Sequence, residues 1–304
     1  MNSNVGKIPS DVWSKKYFDL TLIQSATDYY WAAFSIFLFC AIVYPIISIF
    51  SSPPKRFFYY VYSITCMVSA IVYFSMAGEL GYTLVNLTTS TWFRGVRVVY
   101  FVRYIQWMIN FPLVISSIFY LAGVSFMRTV VTVFHIWLCF ACLLAAAMTV
   151  SIHRWGFYAF SLVGYACAML HTYLTYKHDI QPLKRKAKVG FLCSIIYFFV
   201  IWALYFVSWG FCEGIGYPLP IGEAVFYSVL DFLEFPVFGT IFSWMIDLVG
   251  IHRFSKTYLR SFQTDNQEAV KLNVITEAES PKEKEETSYT NNNSNLSINE
   301  TPAR

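Results

Sequence analysis

The chain has 304 residues, of which 57% are hydrophobic, 20% aromatic and only 13% charged, with a formal net charge of +4. A soluble domain carries about 25% charged residues, so this composition excludes an ordinary soluble domain and places the chain in the membrane class. No basic array with interleaved aromatics occurs, which leaves nucleic-acid binding without support.

The first 25 residues mix Lys7, Asp11, Lys15, Lys16 and Asp19, and no apolar core precedes Trp31. A signal peptide is therefore not expected, and residues 1–27 read as an N-terminal segment ahead of the first spanning helix. Seven spanning helices are predicted, near 28–50, 57–80, 97–120, 129–151, 155–176, 189–211 and 223–250. Each has about 20 residues or more, enough to cross a hydrocarbon core of about 30 Å at about 1.5 Å per residue. Breakers separate them: Ser51-Ser52-Pro53-Pro54, the 86–90 stretch, 178–188 with Pro182, and 214–222 with Pro218 and Pro220. Backbone groups exposed to lipid must pair within their own segment, so helices rather than open strands are expected. The expected fold class is an all-α membrane protein, a seven-transmembrane-helix bundle over residues 28–252.

Seven spans put the termini on opposite sides. One face collects Lys55, Arg56, Arg128, Lys177, Lys184, Arg185, Lys186, Lys188, Arg253, Lys256 and Arg260, and the other Lys7, Lys15, Lys16, Arg94, Arg97 and Arg154. The larger set marks the cytosolic side, which leaves the N-terminus outside. Asn86-Leu87-Thr88 is an N-glycosylation sequon in a loop on that outer side. Residues 253–304 read as a mostly disordered cytosolic tail, rich in Glu, Lys, Asn, Ser and Thr from about Ser261 and unable to bury enough apolar surface to fold alone. Cys139 and Cys142 have a C-x-x-C spacing but sit mid-helix without a second ligand pair. They read as small packing residues, and no metal site is expected.

Charges at membrane depth usually face a bundle interior, and five stand out: Glu79, Arg103, Asp231, Glu234 and Asp247. Counting from the outer ends of the predicted helices puts Arg103 about 9 Å deep and Asp231 about 12 Å deep. An ion pair between them is expected. Gln106 lies one turn beyond Arg103, followed by Trp107, Asn110, Pro112 and Ser117. In the sixth helix Trp202, Tyr205 and Trp209 are spaced to share one stripe. With Tyr73, Tyr104, Trp107 and Tyr158 they form either the wall of a cavity or an aromatic packing layer.

These residues resemble the microbial rhodopsins, the bacteriorhodopsin-like family. Arg103-Tyr104-x-Gln106-Trp107-x-x-x-x-Pro112-Leu113 is similar to that family's third-helix motif Arg-Tyr-x-Asp-Trp-x-x-x-x-Pro-Leu. Trp202, Tyr205 and Trp209 resemble its retinal-pocket aromatics, with Phe206 in place of the usual proline, and Tyr73-x-Ser75-Met76 resembles its second-helix pocket segment. Glu213, Glu223 and Asp231 match positions in its last loop and seventh helix, the first two standing where the family carries outer proton-release glutamates.

The departures narrow the function. The family holds retinal as a Schiff base to a lysine four residues after the seventh-helix aspartate, and that position is Phe235 here. A Schiff base needs an amine, and no lysine occurs between Lys188 and Lys256. Gln106 replaces the proton acceptor and Ser117 the donor, so the acid and base of a light-driven pump are missing. No covalent retinal is expected, and Glu213 and Glu223 reduce to surface carboxylates. This combination resembles the fungal opsin-related proteins that lost the retinal lysine. The resemblance implies a stress-associated plasma-membrane protein that acts as a membrane chaperone or modulates a membrane partner such as the proton pump, and a tendency to form homo-oligomers. Two other readings remain: a sensor that binds retinal or another apolar ligand without a covalent bond, and a light-independent ion pathway. An enzyme is not expected, since no H-E-x-x-H, phosphate loop or nucleophile elbow occurs.

Overall fold

The computed structural model describes residues 13–87, 95–181, 185–215 and 220–249. The tail expected at 253–304 and the first twelve residues lie outside them. Helix α1 (Trp13–Ile49) begins well before the predicted start at 28, though its apolar span is Ala26–Ile49. It is followed by α2 (Pro53–Ala77), the strands β1 (Tyr82–Leu87) and β2 (Gly95–Tyr100), then α3 (Phe101–Ala122), α4 (Phe126–Met148) and α5 (Arg154–Thr175). Helix α6 (Arg185–Trp209), α7 (Pro220–Phe232) and α8 (Phe238–Val249) complete the order. Wide π turns extend α5 over Tyr176–Ile180 and α6 over Gly210–Ile215, and join α7 to α8 over Leu233–Val237. Seven helical segments are long and apolar enough to cross a membrane, and the protein is a seven-span membrane protein.

One predicted element differs. Residues 97–100 are not the start of the third helix but the end of a β-hairpin, in register from Tyr82 opposite Tyr100 to Leu87 opposite Gly95. The run Gly95-Val-Arg-Val-Val-Tyr is rich in β-branched residues, which fit a pleated strand better than a helix turn. Val85 and Val99 turn inward and are buried. Asn86 of the sequon lies in β1 opposite Val96, and Thr88 lies outside the described residues. Two of the five predicted interior charges also sit at the periphery. Glu79 is exposed just past the end of α2, and Asp247 pairs with Lys55 at the far end of the bundle.

Three prolines interrupt spanning segments, and each frees a backbone carbonyl that lipid cannot satisfy. The bundle meets this with side chains from neighbouring helices. Pro45 frees the Ala41 carbonyl, which accepts a hydrogen bond from Ser63 Oγ of α2 at 2.7 Å. Pro112 frees the Met108 carbonyl, which accepts from Trp137 Nε1 of α4 at 2.8 Å. At Pro236 the chain widens into the π turn, and Tyr197 Oη of α6 donates to Leu233 O at 2.8 Å while Tyr44 Oη of α1 donates to Pro236 O at 2.6 Å. Each kink is thereby locked to an adjacent helix.

Replacing Trp137 by Phe keeps an aromatic ring but strands the Met108 carbonyl. The expected loss is about 1 kcal/mol, read as a lower thermal midpoint in nanodiscs, and an unchanged midpoint would show that Trp137 contributes only area.

Candidate functional site

Two buried polar clusters lie along the bundle axis. The first sits at the hairpin end. Glu223, in the first turn of α7, is gripped by two arginines: Arg103 Nη1 to Oε1 at 2.8 Å and Arg97 Nη2 to Oε2 at 2.7 Å. Glu213, in the π turn after α6, accepts from Tyr227 Oη at 2.7 Å, with Arg97 at 3.9 Å and Arg103 at 4.0 Å. Tyr104 Oη also points to Glu213, at 3.4 Å. The Arg103 guanidinium lies 4.3 Å from the centre of the Tyr227 ring and donates to Tyr30 Oη at 3.2 Å. Two arginines meet two carboxyl groups here, and the close ion pairs to Glu223 offset the cost of dehydrating the cluster. Burial works against the charge on Arg97, but Glu223 and Glu213 outweigh it and hold the guanidinium above its ordinary range.

The expected Arg103–Asp231 ion pair does not form. Because α3 starts at Phe101, Arg103 stands only about 3 Å from the helix start, level with Glu223 at about 3 Å into its span, whereas Asp231 is about 15 Å in. Side chains on a helix also lean toward its N-terminus, which directs Arg103 away from Asp231. Nor are Glu213 and Glu223 surface carboxylates. Glu213 is only 5% exposed, because the hairpin and its Arg97 close over that end of the bundle.

The second cluster surrounds Asp231, which is wholly buried. Its carboxylate accepts four hydrogen bonds from neutral donors: Tyr73 Oη at 2.7 Å and Gln106 Nε2 at 3.0 Å on Oδ2, Tyr205 Oη at 2.6 Å and Trp107 Nε1 at 3.0 Å on Oδ1. Helices α2, α3 and α6 thus converge on one acid of α7. Gln106 supplies an amide donor where an aspartate would set two carboxyl groups against each other. Asn110 continues the layer, donating to Ser69 Oγ at 2.9 Å and to the Thr65 carbonyl at 3.0 Å. Ser117 stands apart, bonded to its own helix at Val114 O and meeting Tyr62 Oη at 3.2 Å.

Beside and beyond the Asp231 layer the centre is filled with rings. Phe111 is at the hub, with ring centroids 5.6 Å from Trp202, 5.3 Å from Tyr205, 5.8 Å from Phe235 and 4.9 Å from Phe140. Phe140 stacks on Trp202 at 5.6 Å, and Trp107 packs on Tyr205 at 5.0 Å. Trp209 is stacked on Tyr158 at 4.8 Å, one layer nearer the hairpin. Among the described residues no group of three or more metal-ligating side chains converges.

Comparisons with known proteins agree with this architecture. The family model for bacteriorhodopsin-like proteins matches residues 25–247. The chain belongs to the bacteriorhodopsin-like family. It is 46% identical to the meiotically up-regulated gene 73 protein of Schizosaccharomyces pombe, covering 79% of both chains. It is 27% identical to the opsin-like protein carO of Fusarium fujikuroi, covering 77% of this chain and 78% of that one. The 30 kDa heat shock protein of Saccharomyces cerevisiae is 24% identical over 72% of each. Among solved structures, the light-driven proton pump rhodopsin of Coccomyxa subellipsoidea superposes with a TM-score of 0.67 at 24% identity, covering 72% of this chain and 96% of that one. The relatives place the chain with the fungal opsin-like members of the family.

Sequence reasoning found Tyr73, Gln106, Trp107, Tyr205 and Asp231, and the structure joins them. It missed Arg97, read as a helix end, and Tyr30, Ser69, Phe111, Phe140 and Tyr227, whose residue types are too common in this chain to stand out.

Removing one partner of the ion cluster leaves an uncompensated buried charge. Glu223→Gln is expected to cost about 3–5 kcal/mol, and adding Arg103→Gln should restore part of it. In a double-mutant cycle Arg103 should couple strongly to Glu223 and weakly to Asp231; the reverse order would contradict the geometry.

Proposed function

We propose that this protein is a non-photoactive, non-enzymatic opsin-related protein of the plasma membrane, associated with stress and acting on a membrane partner as chaperone or modulator. The observation that carries the reading is Phe235. It stands where the family's pigment-bearing lysine would be, wholly buried with its ring against Phe111. A phenyl ring cannot form a Schiff base, and Phe111 beside it packs closely on Phe140 and Trp202. These contacts support a reading in which the centre holds no retinal.

The stress reading draws on the relative named as a heat shock protein and on a tail with the composition of a solvated interaction segment. The surplus of basic residues around Lys55, Arg128 and Lys188 supports a cytosolic C-terminus. Self-association within the bilayer is part of the proposal.

Two measurements on one preparation test it. Protein purified from cells given retinal should show no red-shifted absorbance and no pigment fixed to the chain by borohydride; a fixed pigment would sink the reading. Partners that co-purify with the full chain should be lost on truncation after residue 262, and an unchanged partner list would defeat a tail-mediated role.

A further inference from the structure

Glu234 lies in the π turn between α7 and α8, wholly buried, and neither of its carboxyl oxygens has a hydrogen-bond partner. Asp231, three residues earlier, has four donors. The ionisable groups facing Glu234 are Asp231 on its own span, Tyr62 on α2, and Tyr197 and Tyr205 on α6. None is a cation. The tyrosine hydroxyls are also committed elsewhere. Ser117 Oγ gives its hydrogen to Val114 O, so Tyr62 donates to Ser117. Tyr197 donates to Leu233 O and Tyr205 to Asp231.

A lone carboxylate at this depth carries a steep desolvation cost with nothing to offset it. A buried polar group without a protein partner points to water or an ion. Other groups in the interior make the same demand: Gln106 Oε1 and Asn110 Oδ1 lack donors, and Trp202 Nε1 lacks an acceptor. With no cation in reach, a proton on one oxygen removes the charge, and the resulting acid can donate to one water and accept from it or another.

We propose that Glu234 is a proton-binding site of the bundle centre, a carboxylic acid hydrogen-bonded to enclosed water. The site lies one turn beyond Asp231 and near the Tyr62–Ser117 pair. Binding moves a proton from a hydronium ion to a carboxylate oxygen, breaking one O–H bond, forming another and releasing water, with no change of oxidation state. It needs neither pigment nor partner, so it stands or falls separately from the stress reading.

Infrared spectroscopy of the full chain in nanodiscs at neutral pH reads the site directly. The expected result is a carboxylic-acid C=O stretching band that is absent from Glu234→Gln and retained in Asp231→Asn and Glu213→Gln. The band should shift in deuterium oxide; one that stays put removes the water contact. No acid band in the unaltered protein, or one that survives Glu234→Gln at full intensity, overturns the proposal. If Glu234→Gln does not fold, Glu213→Gln protein made with [13C]glutamate replaces it. The acid band must then move with the isotope, and a band that moves only with [13C]aspartate overturns the proposal equally.

Discussion

Asp231 is the group around which the bundle is arranged. It is a single acid, wholly buried, carried by α7 and bound by four neutral donors from α2, α3 and α6. A carboxylate in this position has a steep desolvation cost, and each of the four hydrogen bonds to it is charge-assisted and stronger than a neutral one. Losing any one helix from the set would expose the acid to an unsatisfied site. The register of three helices against the fourth is therefore set by a polar constraint rather than by ring packing alone. In a bilayer this matters more than in water, since apolar faces gain little by leaving lipid for one another.

The same rule governs the rest of the interior. Prolines free carbonyls, and Ser63, Trp137 and Tyr197 reach across helix boundaries to satisfy them. The charges near the hairpin come in balanced number and close contact. Among the buried acids of the described residues Glu234 is the exception, and for that reason it is the group that calls for a ligand. The aromatic hub around Phe111 packs against Trp202 and Phe235 at the centre. The family's scaffold is kept, with the Gln106 amide donating to Asp231 and the Phe235 ring packed on Phe111.

Much of this was legible in the chain. The spans follow from runs of apolar residues longer than a bilayer needs, and the missing amine from a gap in the lysines. The third-helix motif and the Trp202, Tyr205, Trp209 stripe identified the residues that the structure gathers, because helical spacing fixes which side chains share a face. The error at 97–100 arose because a β-branched run beside an apolar helix looks like its continuation. That short misreading moved the apparent helix start, and with it the depth assigned to Arg103. A displacement of one helical turn is about 5.4 Å, enough to change which acid an arginine meets.

Sequence alone determined the class, the seven crossings and the lysine-free stretch between Lys188 and Lys256, since these depend on composition and on residue identity at single positions. Tertiary structure alone decided the pairing: Arg103 with Glu223, Gln106 with Asp231, Trp137 with the carbonyl freed by Pro112, and Glu234 with nothing in the protein. The reason is physical. Hydrogen bonds and ion pairs form or fail over an ångström or less, and that precision comes from how helices start, kink and pack, which no linear spacing encodes.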